Sequence, residues 1–156
     1  MRNLFSGIVQ IVWALWFGGI IALFMFVVRL FSENRDLAKQ AAPQLFATFE
    51  HYQLGLAGIA LLFTIFWRIA WKSRLLTTIL IMLVLSLAAS LVSTLGITPR
   101  MQALLATHQS GSPEFMKLHG YSMIAYTSNA VFLAVTGLLL PPAIRAKHQP
   151  HERIER

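Results

Sequence analysis

With 56% hydrophobic residues, only 12% charged residues and a mean hydropathy of +0.63, this chain of 156 residues has the composition of a membrane protein. The absence of cysteine excludes disulfides, thiolate metal sites, iron–sulfur clusters and cysteine nucleophiles. The formal charge of +7 indicates membrane orientation and contact with anionic lipid, because no nucleic-acid-binding motif accompanies it.

The first predicted helix covers about residues 5–30. No charged residue lies between Asn3 and Val28, and this run is long enough to cross a bilayer. A signal peptide is the alternative, since Arg2 precedes the apolar run, but the run is too long and ends in bulky residues. Gly18 and Gly19 predict a close approach to another helix.

The second predicted helix covers about residues 44–67 and begins at Pro43. Before it, a charged connector, residues 29–39, is expected at the membrane surface, either as a solvated link or as a continuation of helix. Trp67 and Arg68 are typical of an interfacial anchor at its far end. His51 lies 17 residues before Arg68, a rise of about 25 Å, and therefore close to the opposite interface.

Glu50 and His51 are adjacent ionisable residues inside this second helix. One interpretation makes them partners in a site, and the other places them in an interfacial belt with Tyr52 and Gln53. For Glu50 the belt is favoured, because a carboxylate near the interface reaches water.

The third predicted helix covers about residues 75–97 and follows a tight basic turn. A stripe of mostly small residues recurs along it at spacings of three and four and comprises Ser86, Ser90, Ser93 and Ile97. This stripe predicts close helix packing, and a substrate path is the alternative. Thr98 and Pro99 are expected to end this helix and to begin a short one before the flexible HQSGSP segment.

The fourth predicted helix covers residues 113–140, with Ser112 as its N-cap and Pro113 as its first residue. One stripe of this helix is polar over much of its length and comprises His119, Ser122, Tyr126, Asn129, Leu133 and Thr136. Together with Glu50, we interpret Ser122, Tyr126 and Asn129 as a polar face that contacts protein or a cavity. The competing interpretation is that these side chains join helices by hydrogen bonds.

These elements predict an all-α integral membrane protein, an antiparallel four-helix bundle in one domain, residues 1–144, with a basic tail, residues 145–156. Four crossings divide the 13 basic residues eight to five, which predicts that both termini are cytoplasmic. His148 and His151 in the tail have no neighbouring ligands and are not expected to form a site.

Four segments of the chain resemble a known family. LFATFEHYQLG and KLHGYSMIAYTSNAVFLAVTGLLL, together with VWALWFGGIIALFMFVV and TPRMQAL, are similar to the bacterial relatives of eukaryotic transmembrane protein 205. The most specific motif is His119-Gly120-x-Ser122, whereas Glu50 stands where the family tends to have Tyr or Phe. The resemblance implies four transmembrane helices and little about activity. A weaker likeness connects the chain to copper-resistance membrane domains.

Two cofactor hypotheses use the histidines of the second and fourth helices. His51 and His119, both predicted near the outer face, are candidate axial ligands of haem b. Alternatively, Met116, His119 and Met123 share a helical face and offer thioether and imidazole ligands that suit copper(I). The simpler alternatives are hydrogen-bonded structural histidines and ordinary apolar methionines.

Two further hypotheses need no metal. Proton-coupled or small-molecule transport would use Glu50, His51 and His119 as titrating groups, although no inverted repeat is evident. The favoured interpretation is a non-enzymatic scaffold, accessory subunit or ligand-binding module of the bacterial inner membrane. Its outer-side polar face would bind another membrane protein, a second copy, lipid or a ligand, because no complete catalytic motif is present.

Overall fold

Helices account for nearly all of the described chain. The computed structural model describes residues 2–145, with side chains from Leu4 onward. Its elements are α1 (Arg2–Glu33), α2 (Arg35–Ala70), α3 (Arg74–Leu91), a π-helical segment (Val92–Ile97), α4 (Thr98–Ala106) and α5 (Pro113–Arg145). Because the π-helical segment joins α3 to α4 without a break, four stretches are long and apolar enough to cross a membrane. The predicted four spanning helices are thereby confirmed.

Polar caps fix two helix starts. Asn34 Oδ1 accepts a hydrogen bond from the backbone N–H of Leu37 at 3.0 Å and caps α2. Ser112 Oγ accepts one from the N–H of Phe115 at 3.1 Å, and α5 begins at Pro113. The predicted start of the fourth helix is therefore confirmed.

Several predicted boundaries were wrong because helix continues through the charged and proline-containing ends. Asn34 alone separates α1 from α2, so the charged connector is helical on both sides of it. Pro43 lies inside α2 instead of starting it, since the cap at Asn34 and the buried Ala38 and Ala42 hold the preceding turns. The fourth helix also continues through Pro141 and Pro142 to Arg145. The third span, in contrast, reaches Ile97 as predicted, and the short helix predicted from Thr98 is α4. His148, His151 and the tail from residue 146 onward lie outside the described residues.

The bundle is held by pairwise helix contacts, chiefly α1 with α2 and α3 with α5. Phe5, early in α1, contacts Phe63 late in α2, whereas Phe24, late in α1, contacts Phe46 early in α2. Large apolar side chains fill the centre, among them Trp16, Ile20, Trp67, Ile79, Leu83 and Leu133. Many others, including Phe26, Leu95 and Leu138, are exposed on the outside, which is the surface expected of a bundle in lipid.

Candidate functional site: a buried carboxylate among hydroxyls

Glu50 lies in the interior of the bundle, with 1% of its surface exposed. Its carboxylate oxygen Oε1 accepts hydrogen bonds from three hydroxyl groups: Ser93 Oγ at 2.7 Å, Thr98 Oγ1 at 2.7 Å and Tyr126 OH at 3.2 Å. We call these four residues the Glu50 cluster. The cluster joins α2, the π-helical segment, α4 and α5 at one oxygen atom.

The π-helical segment brings Ser93 and Thr98 to the same side. In an α-helix, side chains five residues apart point in directions that differ by about 140°. Here the N–H of Thr98 bonds to the carbonyl of Ser93, five residues earlier, so each turn holds one more residue. Both hydroxyls consequently reach Glu50. Such π-helical turns occur often at functional sites.

Aromatic rings close the cluster around Tyr126. The rings of Phe24 and Phe46 contact the Tyr126 ring edge to face, with centroids 5.7 and 5.3 Å away. Tyr126 is buried, and its hydroxyl is directed to Glu50. The apolar surround therefore removes the carboxyl group from bulk solvent.

No positive side chain balances Glu50 within the part of the chain that the structure describes. The ion pairs found between residues 4 and 145 are Arg29 with Glu33 and Lys39 with Asp36, both on the exposed surface. A lone carboxylate charge in an apolar interior is energetically costly unless something neutralises it. The three hydroxyls supply hydrogen bonds but no charge.

A second group of buried polar residues lies three positions away from the Glu50 cluster along α2, α3 and α5. Gln53 Oε1 accepts from Trp16 Nε1 at 3.4 Å and from Asn129 Nδ2 at 3.1 Å, and Asn129 Nδ2 also contacts Ser90 Oγ at 3.0 Å. Ser90 Oγ in turn donates to the carbonyl of Ser86 at 3.0 Å. We call Trp16, Gln53, Ser86, Ser90 and Asn129 the amide layer. It extends the polar interior by one turn on α2, α3 and α5.

The structure brings together part of the predicted polar face. Tyr126 contacts Glu50 directly and Asn129 contacts the amide layer, whereas Ser122 is half-buried farther along α5. The interfacial-belt interpretation of Glu50 and Gln53 was wrong, since both are buried against α3 and α5. His51 and Tyr52 are the exposed residues of the proposed belt.

The proposed cofactor ligands are not gathered in this interior. His51 is exposed, with Nδ1 2.8 Å from the carbonyl of Ala47, and His119 is exposed and stacks on Phe115. Met116 and Met123 also lie on the outer surface. Among the described residues, no three His, Asp or Glu side chains are grouped to hold a metal. The geometry therefore gives neither the haem nor the copper hypothesis support.

Sequence reasoning missed the roles of Gln53, Ser93 and Thr98. Gln53 lies three residues after Glu50, so their common helical face was a usable signal. Ser93 belonged to the small-residue stripe that predicted close packing, and that stripe is indeed buried. Nothing in the sequence indicated a π-helical turn, without which Thr98 would face away.

Comparison with protein-family models gives a match over residues 11–110 to a domain of unknown function, DUF4149. The chain belongs to the DUF4149 family. The matched region of this DUF4149 protein contains Glu50, Ser93 and Thr98, whereas Tyr126 and Asn129 follow it. Searches of curated proteins and of solved structures gave no match. These comparisons do not link the DUF4149 protein to transmembrane protein 205 or to copper-resistance domains.

Proposed function

We propose that this DUF4149 protein is a non-enzymatic ligand-binding module of the membrane, and that its ligand is a small monovalent cation, a proton or a sodium ion, held at Glu50. The observation that carries the proposal is a carboxyl group that is 1% exposed, bonded by three hydroxyls and without a positive partner in the described residues. An intramembrane acidic residue of this kind is costly and is typical of ion and proton sites.

The donor set supports the choice of ligand. The Glu50 cluster offers carboxylate and hydroxyl oxygens, which suit a proton or a hard cation and not copper(I) or haem iron. One carboxylate carries one negative charge, so a monovalent cation neutralises it, whereas a divalent ion would leave a net charge in the apolar interior. The three hydroxyls all bond to Oε1, which leaves Oε2 as the oxygen for the cation.

The position of Glu50 along α2 supports access from one membrane face. Glu50 lies 18 residues before Arg68, a rise of about 27 Å, which nearly equals the hydrocarbon thickness of about 30 Å. If Arg68 marks one interface, Glu50 lies just inside the other. A cation then enters over a short distance, without crossing the bundle.

The membrane arrangement that we propose is an antiparallel bundle in the bacterial inner membrane with both ends of the chain in the cytoplasm. Contacts of Phe5 with Phe63 and of Phe24 with Phe46 support opposite directions for α1 and α2. The excess of basic residues on the side of the α2–α3 turn supports the orientation. Glu50 would then face the outer side.

A scaffold or accessory role has less support than ligand binding. A partner helix would have to reach the polar face, but Glu50, Tyr126 and Asn129 are covered by the protein's own helices. Any partner would therefore meet the apolar outer surface.

The test measures thermal unfolding of the protein in lipid nanodiscs while sodium replaces choline at constant ionic strength, and separately while pH is varied without sodium. Cation binding to the native state raises the unfolding temperature by mass action. We expect a saturable response to sodium if sodium is the ligand, and a response to pH alone if the proton is. Glu50→Gln should abolish either response, whereas the exposed control Glu33→Gln should keep it. Equal responses of the wild type and Glu50→Gln would refute the proposal.

A further inference from the structure

Unpartnered polar atoms are concentrated in the amide layer. Gln53 Nε2, Asn129 Oδ1 and Ser86 Oγ are fully buried and have no hydrogen-bond partner among the described residues. The three residues expose 1% of their surface or less. Buried polar groups in proteins are nearly always bonded to protein or to water, so these atoms require a ligand.

Two of the three atoms flank one contact between amide groups. Gln53 Nε2 shares its carbon atom with Oε1, and Asn129 Oδ1 shares its carbon with Nδ2, while Oε1 and Nδ2 are bonded to each other at 3.1 Å. The third residue, Ser86, is joined to this contact through Ser90, whose hydroxyl bonds to both Asn129 and the backbone carbonyl of Ser86. The residues that carry the unpartnered atoms therefore belong to one connected network.

The chemistry of the three atoms identifies the ligand class. Nε2 is a donor, Oδ1 is an acceptor and a serine hydroxyl is both. A metal cation would be repelled by the amide N–H groups, and an anion by the amide carbonyl. A water molecule accepts from Nε2 and donates to Oδ1, and buried waters typically have two to four such partners.

We infer that the amide layer binds an internal water molecule between Gln53, Asn129 and Ser86. The water site itself does not depend on cation binding. The amide layer lies one turn beyond Glu50 along α2, in the direction of Arg68.

The test detects water at a named side chain. The protein, with ¹⁵N in its glutamine and asparagine side chains, is reconstituted in bilayers, and transfer of magnetisation from water to the side-chain amides is measured by solid-state NMR. The Gln53 signal is identified by its loss in Gln53→Met or, should that variant fail to fold, in Gln53→Glu. We expect a clear transfer from water to Gln53 Nε2 despite its burial.

Three variants separate the inference from simpler explanations. Ser86→Ala removes one partner of the water and should weaken the transfer about twofold or more. Thr64→Val removes an unpartnered hydroxyl about 16 Å away along α2 and should leave the transfer unchanged. Glu50→Gln should also preserve it, so loss of cation binding leaves the water readout intact. Absence of transfer to Gln53 in the wild type would overturn the inference.

Discussion

Ser93 and Thr98 are five residues apart, yet each donates a 2.7 Å hydrogen bond to the same oxygen of Glu50. The π-helical segment between them makes this possible. A π-helical turn contains one residue more than the corresponding α-helical turn. The third membrane span therefore holds one inserted residue between the two hydroxyls that reach Glu50.

Deletion of Gly96 should convert the π-helical segment to an α-helix. In the shortened α-helix Thr98 would follow Ser93 by four residues, which differ in direction by about 40°, so both hydroxyls would still face Glu50. Because α4 has no buried residues of its own, little other packing would change. We therefore expect a change of less than about 1 kcal/mol in the free energy of unfolding, measured by thermal denaturation in detergent.

The matched control is deletion of Gly111 in the exposed turn before α5. Water can replace the turn hydrogen bonds there, so the control should unfold close to the wild type. A loss of about 2 kcal/mol or more from the Gly96 deletion alone would contradict this expectation and show that the cluster needs the extra residue.

Substitution of Glu50 should separate its hydrogen bonds from its charge. Glu50→Gln retains a carbonyl oxygen for the three hydroxyls, and stability should change by less than about 1 kcal/mol. Glu50→Leu leaves the hydroxyls of Ser93, Thr98 and Tyr126 without this acceptor and should cost about 3 kcal/mol. Thermal unfolding of both variants provides the comparison. The exposed Glu114 is the control position, where substitution by Gln and by Leu should have similar effects on stability. Equal stability of the two Glu50 variants would mean that the hydrogen bonds contribute little.

The hydrophobic runs were sufficient to predict the four spans, and local chemistry predicted the start at Ser112. Apolar length depends only on composition along the chain, and a serine N-cap depends on its immediate neighbours. The helix that continues through Pro43 was not predictable from the same rules. There the packing of Ala38 and Ala42 outweighs the local preference.

The candidate site was only partly predictable because its members converge from different helices. Helical spacing placed Tyr126 and Asn129 on one stripe, and both are buried. Spacing cannot tell how a helix is rotated toward its neighbours, so His119 on that stripe is exposed, and Glu50 turns inward while His51 faces out. Adjacent residues on a helix differ by about 100° in direction, which is enough to separate a core group from a lipid-facing one.

Removal of either histidine should have little effect on the fold. His51 and His119 are exposed, and the contacts found for them are with Ala47 and Phe115 on their own helices. His51→Ala and His119→Ala should therefore each change the free energy of unfolding by less than about 0.5 kcal/mol. The same preparations should give visible absorption spectra without a Soret band. A Soret band in the wild type that either substitution removes would reinstate haem ligation.

Close packing of α1 against α5 should make Gly137 intolerant of a side chain. A Cβ atom there would collide with the ring of Trp13, which donates a 2.7 Å hydrogen bond to the carbonyl of Leu133 and stacks on Phe17. Gly137→Ala must displace this ring, and we expect a loss of about 2 kcal/mol in the free energy of unfolding. Gly120 is on the same helix, and a methyl group added there would have open space around it, so Gly120→Ala should gain about 0.5–1 kcal/mol from helix propensity. The unfolding temperatures of the two variants should therefore shift in opposite directions. A shift of the same sign and size in both would show that Trp13 does not fix the approach of the two helices.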